Sequence, residues 1–330
     1  MHMRFSIIIP LYNKQAYVRK ALESVIAQTY KDFECIIVDD GSTDNSAAVC
    51  EEFSNSLTLS LSNPFRLIKQ ANAGVAAVRN NGVAKSKGEY VCFLDADDWW
   101  EPTWLEEMDK LIREYPDAGL YATNYVYYKP GKTRIALNIP RGIMNYPDAY
   151  LCSEMMPVTS ITTCMPRKVF EAMGGFPVGI KLGEDFLLWA KTALHYKIAF
   201  CEKPLAYYNN DVPASLRATK NLHKPECSMY FHLDEIESIV NTGQSLSIVD
   251  RDEWKALLDK LRVNGLLRYW MSEEYHDVAA EELKKKVDWS KQPKSARAQY
   301  NKPIWFLRTQ KNFRLIGSFY KQKLVRMLTK

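Results

Sequence analysis

Three acidic clusters in the sequence follow apolar runs or begin helical patterns, and the sharpest is Val91-Cys-Phe-Leu-Asp-Ala-Asp-Asp98. Residues two apart share one face of an extended chain, so Asp95 and Asp97 can converge on one ligand. Packed carboxylates repel one another, which indicates a cation between them. A hard metal such as Mg²⁺ or Mn²⁺ is typically held by one or two carboxylates plus substrate phosphates. The alternative is a solvated acidic loop in which Asp98 caps the next helix.

The repulsion between a carboxylate and a phosphate favours a bound metal over a solvated acidic loop. A carboxylate and a phosphate ~4 Å apart repel by roughly 4 kcal/mol at an effective dielectric of about 20. An acidic site therefore needs a metal if it is to bind a diphosphate.

The second acidic cluster is Val38-Asp-Asp-Gly-Ser42. Gly41 permits a tight turn, and Ser42 is expected to start the next helix. A carboxylate such as Asp40 can accept the N3–H of uracil or a ribose hydroxyl, and the alternative is simple helix capping.

The third cluster, Glu184-Asp185, lies at the predicted N-terminus of an amphipathic helix. The helix dipole alone favours negative charge there. The functional alternative is a general base that removes a proton from an acceptor hydroxyl.

The elements that must position these residues alternate between strands and helices. Strands are predicted at 5–9, 34–38, 65–69, 90–94, 118–128 and 199–208, and helices at 17–26, 42–53, 74–84, 102–115 and 184–194. This alternation predicts an α/β fold with a mainly parallel sheet covered on both faces. Ligands of such sheets bind at the carboxyl ends of the strands, which is where the acidic clusters fall.

Beyond the alternating strands and helices, the sequence pattern indicates two loops and then a helical region. Residues 129–145 and 209–225 are predicted loops, and from Glu226 the pattern turns helical, at 229–240, 252–270 and 305–328. We place a domain boundary near 225.

Charge is distributed unevenly along the 330 residues. The net charge is +5, yet the stretch from Lys284 to Lys330 has fourteen Lys/Arg and one acid, a balance of +13, so residues 1–283 carry −8. In residues 303–330, seven basic residues alternate with aromatic and aliphatic ones, a pattern typical of a membrane interface. The alternative is a helix docked on the catalytic domain with a solvated basic face. The acidic remainder of the chain disfavours nucleic acid.

Composition excludes several classes of protein. The chain has no apolar run of the ~20 residues that cross a bilayer, and no secretory signal opens it. The seven cysteines are scattered without a C-x-x-C pair, which predicts reduced, mostly buried thiols and neither a disulfide framework nor a zinc site. We therefore expect a cytoplasmic protein. Peripheral attachment to the inner face of the cytoplasmic membrane is compatible with this location.

Taken together, the motifs resemble glycosyltransferase family 2 over about residues 3–210. The matching segments are Ser6-Ile-Ile-Ile-Pro-Leu-Tyr-Asn13, Ile36-Ile-Val-Asp-Asp-Gly-Ser42, Asn72-x-Gly74, Ala77-Val-Arg-Asn80, Gly88-Glu-Tyr90 and Leu94-Asp-Ala-Asp-Asp98. The resemblance implies a GT-A fold, which is a Rossmann-like, mixed and mainly parallel sheet flanked by helices. It also implies an inverting, metal-dependent enzyme that uses a nucleotide sugar.

The domain prediction follows from this resemblance. Residues 1–225 would form a GT-A-like catalytic domain, with the nucleotide-sugar-binding half at about 1–100 and the acceptor half at about 101–225. Residues 226–330 would form a helical C-terminal region that ends in the basic amphipathic tail.

The resemblance also assigns donor-site roles by position. Pro10 and Tyr12 would border the nucleobase, Asp40 would bind uracil, and Arg79 would lie near the base or the diphosphate. In the D-x-D pair, Asp97 would bind the Mn²⁺ or Mg²⁺ directly, and Asp95 would lie nearer the ribose.

For the acceptor side, the resemblance makes Asp185 the catalytic base, with Glu184 beside it. Trp189, with Trp99 and Trp100, is a candidate for presenting a ring face to a sugar acceptor, although core packing is the more common fate of a tryptophan.

Two departures from the family pattern stand out. Many relatives carry a His shortly after the last sheet strand, whereas here Tyr207-Tyr-Asn-Asn-Asp-Val212 has none before His223. Either Asn210, Asp211 or His223 substitutes, or the metal has fewer protein ligands. The Q-x-x-R-W motif of processive synthases is absent, so a cellulose- or chitin-type synthase is not expected.

The predicted function is transfer of a sugar, from a UDP-sugar in the first instance, to a hydroxyl of a glycan or glycolipid in surface polysaccharide, lipopolysaccharide or capsule assembly. The alternatives are a sugar-nucleotidyltransferase and a non-catalytic nucleotide-sugar-binding or membrane-associated assembly protein. A sugar-nucleotidyltransferase would need a Gly-rich loop after the first strand, where this chain has Pro10-Leu-Tyr-Asn-Lys14 without a glycine. A dehydrogenase would need G-x-G-x-x-G at the same place, and that motif is absent too. Whether the protein forms a homo-oligomer stays open.

Overall fold

The computed structural model describes residues 3–57, 65–153, 155–213, 216–217, 222–243 and 250–301. Its strands are β1 (Phe5–Leu11), β2 (Phe33–Asp39), β3 (Phe65–Lys69), β4 (Tyr90–Phe93), β5 (Trp99–Trp100), β6 (Ala118–Tyr128), β7 (Arg134–Ile135), β8 (Gly142–Met144), β9 (Thr163–Pro166) and β10 (Lys197–Asn209). Its α-helices are α1 (Val18–Ile26), α2 (Ser46–Leu57), α3 (Val75–Ala84), α4 (Trp104–Glu114), α5 (Tyr146–Cys152), α6 (Arg167–Ala172), α7 (Glu184–His195), α8 (Asp234–Thr242), α9 (Arg251–Gly265), α10 (Leu267–Trp270), α11 (His276–Lys286) and α12 (Lys294–Tyr300). The predicted basic tail at 303–330 lies outside the described residues.

One sheet organises the first part of the chain, in the order β3-β2-β1-β4-β9-β6-β10-β5. Strands β1 to β4 are mutually parallel, and β10 is parallel to β6. The short β9 lies between β4 and β6 and pairs antiparallel with both. Strands β4 and β6 therefore run in the same direction. The predicted α/β class, with a mainly parallel sheet flanked by helices, is confirmed.

The sheet forms here because its central strands are apolar on both faces. Every residue of β2, and all of β1 except Pro10, is buried, as expected for parallel strands covered by helices on both sides. Helix α1 buries Val18, Ala21, Leu22 and Val25, which share one helical face. Each fully buried aliphatic side chain of this kind contributes roughly 1.5–3 kcal/mol.

Close packing of α3 on the sheet fixes the position of one functional side chain. A Cβ on Gly82 would lie 2.4 Å from Cγ2 of Ile8, so only glycine lets α3 approach β1 this closely. Arg79 lies three residues earlier on the same helix, so it shares the face of α3 that packs on the sheet, and it is buried.

Several local predictions were wrong. Helix α2 begins at Ser46 and not at Ser42, because the Asp44 carboxylate accepts both the backbone N–H and the hydroxyl of Ser46. The predicted loop at 129–145 contains β7 and β8, which pair with β6 and β10.

The chain divides into two compact units, residues 1–257 and 258–330. The first unit extends past the predicted boundary near 225, since α8 packs on α7. The assignment of domains at 1–225 and 226–330 stays a prediction.

The second unit is described as far as Asn301. Its helices enclose a small aromatic cluster in which Trp270 and Trp289 both meet the ring of Tyr300 edge-on, and the Tyr300 hydroxyl donates to the Val263 carbonyl at 2.6 Å.

All seven cysteines lie in the described residues, none is in a disulfide, and five are buried. Every helix in the described ranges is too short or too polar to cross a membrane.

Candidate active site

The candidate active site lies where β1, β2 and β4 end. The chain leaves these strands at Leu11, Asp39 and Phe93, and the functional side chains follow directly. Strand β9 is antiparallel to β4, so its amino end reaches the same edge and brings Ser160 there. Helix α7 supplies Glu184 and Asp185 from its first turn.

Asp98 is the innermost acid of the D-x-D-D run. It is 3% exposed, and its carboxylate accepts the Asn209 backbone N–H at 2.7 Å, which ties the run to the end of β10. Burial raises the pKa of Asp98 well above its usual value, and the charges of Asp97 and Asp95 raise it further. Asp98 therefore does not cap the next helix, whose N-cap residue is Thr103.

Arg79 links the donor motif to the first turn of α7. One terminal nitrogen donates to Asp95 Oδ1 at 2.7 Å and the other to Glu184 Oε1 at 2.8 Å. The guanidinium is 3% exposed and lies 5.1 Å from the centre of the Phe176 ring. Burial alone would lower the pKa of Arg79, but Asp95 and Glu184 raise it above its usual value. We call Arg79, Asp95 and Glu184 the Arg79 network.

Asp97 has a different partner. Lys14 Nζ lies 2.6 Å from Asp97 Oδ2, and the two side chains are 14% and 20% exposed. Burial raises the pKa of Asp97, and Lys14 offsets part of that rise. We call these two residues the Lys14 pair.

Asp185 is a partly exposed carboxylate at the start of α7. Gly183 precedes the helix with φ 81°, and a Cβ there would lie 2.1 Å from Sδ of Met229, so the position requires glycine. Loss of surrounding water raises the pKa of Asp185 to about 7, Glu184 adds to the rise, and Arg79 opposes it. The hydroxyl of Ser160 lies 3.5 Å from Asp185 Oδ2. A carboxylate that titrates near neutral pH is well matched to general-base work.

The residues predicted to hold the nucleobase lie at the ends of β1 and β2. Tyr12 is 47% exposed and Pro10 is partly exposed, so the Tyr12 ring is accessible for stacking. Asp40 is buried, and its carboxylate accepts bonds from Gln70 Nε2 and from the backbone N–H groups of Ala73 and Gly74, at 2.8 to 2.9 Å. Asp40 therefore holds the segment that leads into α3, and its contact with uracil stays a prediction.

Arg79 is more enclosed than the sequence suggested. Both terminal nitrogens bond to carboxylates, one to Asp95 and one to Glu184. Direct contact with a base or diphosphate stays a prediction.

Trp189 is corrected by the structure. It is fully buried and packs against Phe93 and Phe176, so it belongs to the core and presents no face to an acceptor. Trp100 is likewise buried and stacks on Trp104. Trp99 is partly exposed, with Lys20 Nζ 3.0 Å from its ring centre.

The accessory candidates after β10 are placed without forming a metal cluster. The Asn210 side-chain oxygen accepts a bond from Arg217 at 2.6 Å, and Asp211 is exposed. In the described ranges, no three His, Cys, Asp or Glu side chains, His223 included, are placed to hold a metal together.

The donor set nevertheless fits Mn²⁺ or Mg²⁺. Such an ion usually takes one or two carboxylates and completes its shell with water and substrate phosphates. Asp97 already pairs with a cation, and Asp95 lies on the same turn with its side chain 29% exposed. These two carboxylates are the residues that would hold the metal.

Sequence reasoning missed three residues of the site. Lys14 directly follows the Ser6-Ile-Ile-Ile-Pro-Leu-Tyr-Asn13 segment and could have been found as a cation at the same sheet edge. Tyr208 lies near the D-x-D-D carboxylates, whose charges add to the rise that burial causes in its pKa. Arg217 carried no signal, because it comes from a polar segment without a motif.

Comparison with known proteins decides the family. The sequence profile of glycosyl transferase family 2 matches residues 6–174, more than half of the chain. The chain belongs to glycosyltransferase family 2. The matched stretch begins in β1 and contains the whole of the D-x-D-D run.

Two relatives show the extent of sequence similarity. Glycosyltransferase GlyA of Streptococcus pneumoniae is 34% identical over 218 residues, which are 62% of this chain and 30% of that protein. The putative glycosyltransferase EpsH of Bacillus subtilis is 38% identical over 130 residues, 39% of this chain and 36% of that protein. The chain thus spans about a third of the length of these relatives.

Solved structures share the fold. S. aureus TarS 1–349, crystallised with UDP-GlcNAc, superposes with a TM-score of 0.66 at 19% identity, covering 97% of this chain and 92% of that one. The mannosyltransferase PcManGT from Pyrobaculum calidifontis, in complex with GDP-Man and Mn²⁺, has a TM-score of 0.51 at 16% identity and covers 88% of each chain. The predicted GT-A fold is confirmed.

Proposed function

We propose that the protein is an inverting glycosyltransferase that moves a sugar from a nucleotide donor, a UDP-sugar in the first instance, to an acceptor hydroxyl. One observation carries the proposal. Arg79 joins Asp95 of the donor motif to Glu184, next to the carboxylate of Asp185, whose pKa is raised to about 7. The groups for holding a diphosphate and for removing a proton are therefore fixed to each other through one guanidinium.

Asp185 is the general base in this proposal. Its carboxylate takes the proton of the acceptor hydroxyl, and the oxygen forms a bond to the anomeric carbon of the donor sugar. The bond from that carbon to the diphosphate oxygen breaks on the opposite face, and the nucleoside diphosphate leaves with the electron pair. The configuration at the anomeric carbon is inverted.

The remaining residues bind and orient. The accessible ring of Tyr12 stacks on the nucleobase beside Pro10, and Asp40 fixes the segment at 70–74 next to it. Asp97, with Asp95, would hold Mn²⁺ or Mg²⁺, which would supply positive charge to offset that of the departing diphosphate. The similar structures of TarS, with UDP-GlcNAc bound, and of PcManGT, with GDP-Man and Mn²⁺ bound, support a nucleotide-sugar donor and a divalent metal.

The donor assignment is tested with the full chain and a panel of UDP- and GDP-sugars. We expect one nucleotide class to raise the melting temperature and to release nucleoside diphosphate in the presence of Mn²⁺ or Mg²⁺, and EDTA to abolish the release. Free sugars and sugar 1-phosphates are the matched controls and should do neither. Release that is unaffected by EDTA, or no response to any nucleotide sugar, would contradict the proposal.

We further propose a cell-envelope acceptor, a glycan or glycolipid, and contact of residues 303–330 with the inner face of the cytoplasmic membrane. The basic and aromatic composition of that tail supports the contact, since each basic residue near an anionic leaflet contributes ~1 kcal/mol. The full chain should float with vesicles that contain anionic lipid and not with neutral ones. Replacing Arg308, Lys311 and Arg314 by Gln should reduce flotation; equal flotation of the variant would contradict the membrane contact.

A further inference from the structure

Lys14 occupies the position at Asp97 where a metal is expected. Its Nζ lies 2.6 Å from Asp97 Oδ2 and 3.3 Å from the carbonyl oxygen of Leu216. An ammonium group and a divalent ion compete for the same carboxylate oxygen, since each needs direct contact with it.

The backbone at Lys14 is held firmly although its side chain is long. Asn13 adopts a left-handed conformation with φ 51°, which Asn tolerates better than most residues. The Ser42 hydroxyl accepts the Asn13 N–H at 3.0 Å, and the Ser46 hydroxyl accepts the Lys14 N–H at 2.7 Å. This turn directs Lys14 toward Asp97 and leaves only the four-carbon side chain free to change its contacts.

The contrast with Arg79 shows which cation can exchange. Arg79 is held by two carboxylates in a buried, forked arrangement that a planar guanidinium favours. Lys14 is a point charge with one carboxylate partner and one carbonyl partner, and it is more exposed. A diphosphate bound at this edge would offer the ammonium group a new anionic partner within reach of the same side chain.

We propose that Lys14 is an exchangeable counter-cation of Asp97. It neutralises Asp97 in the donor-free protein, and it transfers to diphosphate oxygens when metal and nucleotide bind. Metal and nucleotide therefore bind cooperatively, because the diphosphate releases Asp97 to the metal by accepting Lys14. This inference rests on the proposed nucleotide-sugar function and adds a residue that couples its two ligands.

The test measures Mn²⁺ binding, by the electron paramagnetic resonance signal of the free ion, with and without UDP. In the wild-type protein, UDP should tighten Mn²⁺ binding within the usual range of coupling between two sites, about 5- to 150-fold. Lys14→Met should bind Mn²⁺ alone about fivefold or more tightly than wild type, and UDP should then add less than about threefold.

Three further variants make the result specific. Lys14→Gln removes the charge while keeping a hydrogen-bonding side chain, and should behave as Lys14→Met. Lys14→Arg keeps the charge and should keep weak Mn²⁺ binding in the absence of UDP. Lys285→Met, which removes an exposed lysine paired with Glu281 in the second unit, is the matched control and should equal wild type.

The outcomes separate this inference from the function on which it rests. If wild type couples Mn²⁺ to UDP and both uncharged variants couple them equally well, the role of Lys14 is wrong and the proposed function stands. If wild type binds neither UDP nor Mn²⁺, the proposed donor site itself fails. Circular dichroism of each variant establishes that it is folded.

Discussion

The Arg79 network and the Lys14 pair serve two carboxylates of one D-x-D motif in opposite ways. Asp95 is tied to a buried guanidinium that also holds Glu184, whereas Asp97 meets a single ammonium, and the Lys14 side chain is 14% exposed against 4% for Arg79. The first arrangement fixes geometry, because moving any member would leave a buried charge unpaired. The second leaves its carboxylate available for exchange. One short motif thus combines a fixed framework with a replaceable contact.

The largest expected effect concerns the base beside the Arg79 network. Asp185→Asn keeps the shape of the side chain and removes its ability to take a proton. We expect kcat to fall about 100- to 10,000-fold, the usual contribution of general-base catalysis. Affinity for UDP with Mn²⁺ should stay within about twofold, since this binding involves the Lys14 side of the motif. Wild-type turnover in Asp185→Asn would remove Asp185 from the catalytic role.

The next effect is on stability and compares the two cations directly. Arg79→Met leaves Asp95 and Glu184 without their shared partner, and breaking a buried pair in this way typically costs about 3–5 kcal/mol. Lys14→Met leaves one carboxylate, Asp97, without its cation where Arg79→Met leaves two, and should therefore cost less than Arg79→Met. Urea unfolding of both variants measures the difference. Equal losses would mean that the two pairs do not differ in the way described.

A third prediction tests the exchangeable side alone. Asp97→Asn removes a carboxylate from the expected metal site, and even loss of an outer partner of a metal ligand typically costs about 10- to 100-fold in metal affinity. We expect at least that loss in Mn²⁺-dependent UDP affinity, measured by calorimetry. Asp117→Asn, at an exposed acid that precedes β6, is the matched control. Unchanged titration of Asp97→Asn would refute its assignment.

The smallest predicted effect is the pH dependence of the base. The pKa of Asp185 is raised to about 7, so kcat/KM should fall about tenfold per pH unit below 7. Since the folded pKa exceeds the unfolded value of about 3.9, folding favours the protonated form, and the stability this contributes is lost as pH rises toward and through 7. Asp185→Asn should therefore gain stability relative to wild type as pH rises from about 4 to about 7, and the gain should level off above pH 7. A pH-independent difference in melting temperature would contradict the raised pKa.

The sequence predicted the parts of the fold that depend on local pattern. Mainly apolar runs marked β1, β2 and β4 because strands buried on both faces have few polar positions, such as Ser6 and Glu34, which bond to each other, and the acidic clusters then fell at one edge by topology. The start of α2 was harder to predict: Ser42 and Asp44 are both residue types that favour helix starts, but the Ser42 hydroxyl accepts the Asn13 N–H, whereas the Asp44 carboxylate accepts the N–H of Ser46, the first residue of the helix.

The rest depended on contacts that spacing does not encode. Trp189 was one candidate for facing an acceptor, with core packing as the more common outcome, and the residues that bury it, Phe93 and Phe176, come from elements about a hundred and a dozen residues away. Lys14 lies 83 positions from Asp97 in the chain, and the ion pair exists only once β1 and β4 are adjacent. A motif search that looks for acids alone does not find Lys14, the cation that pairs with Asp97.

Strand β9 carries a consequence for how the protein is made. This four-residue strand lies between β4 and β6, although the chain reaches it only after both neighbours. While synthesis is still short of Thr163, the facing edges of β4 and β6 lack their shared partner, and unpaired edges of this kind favour association with other chains. Strand β9 can join β4 to β6 only after residues Thr163–Pro166 have been synthesised, and Ser160 reaches the site edge with that strand.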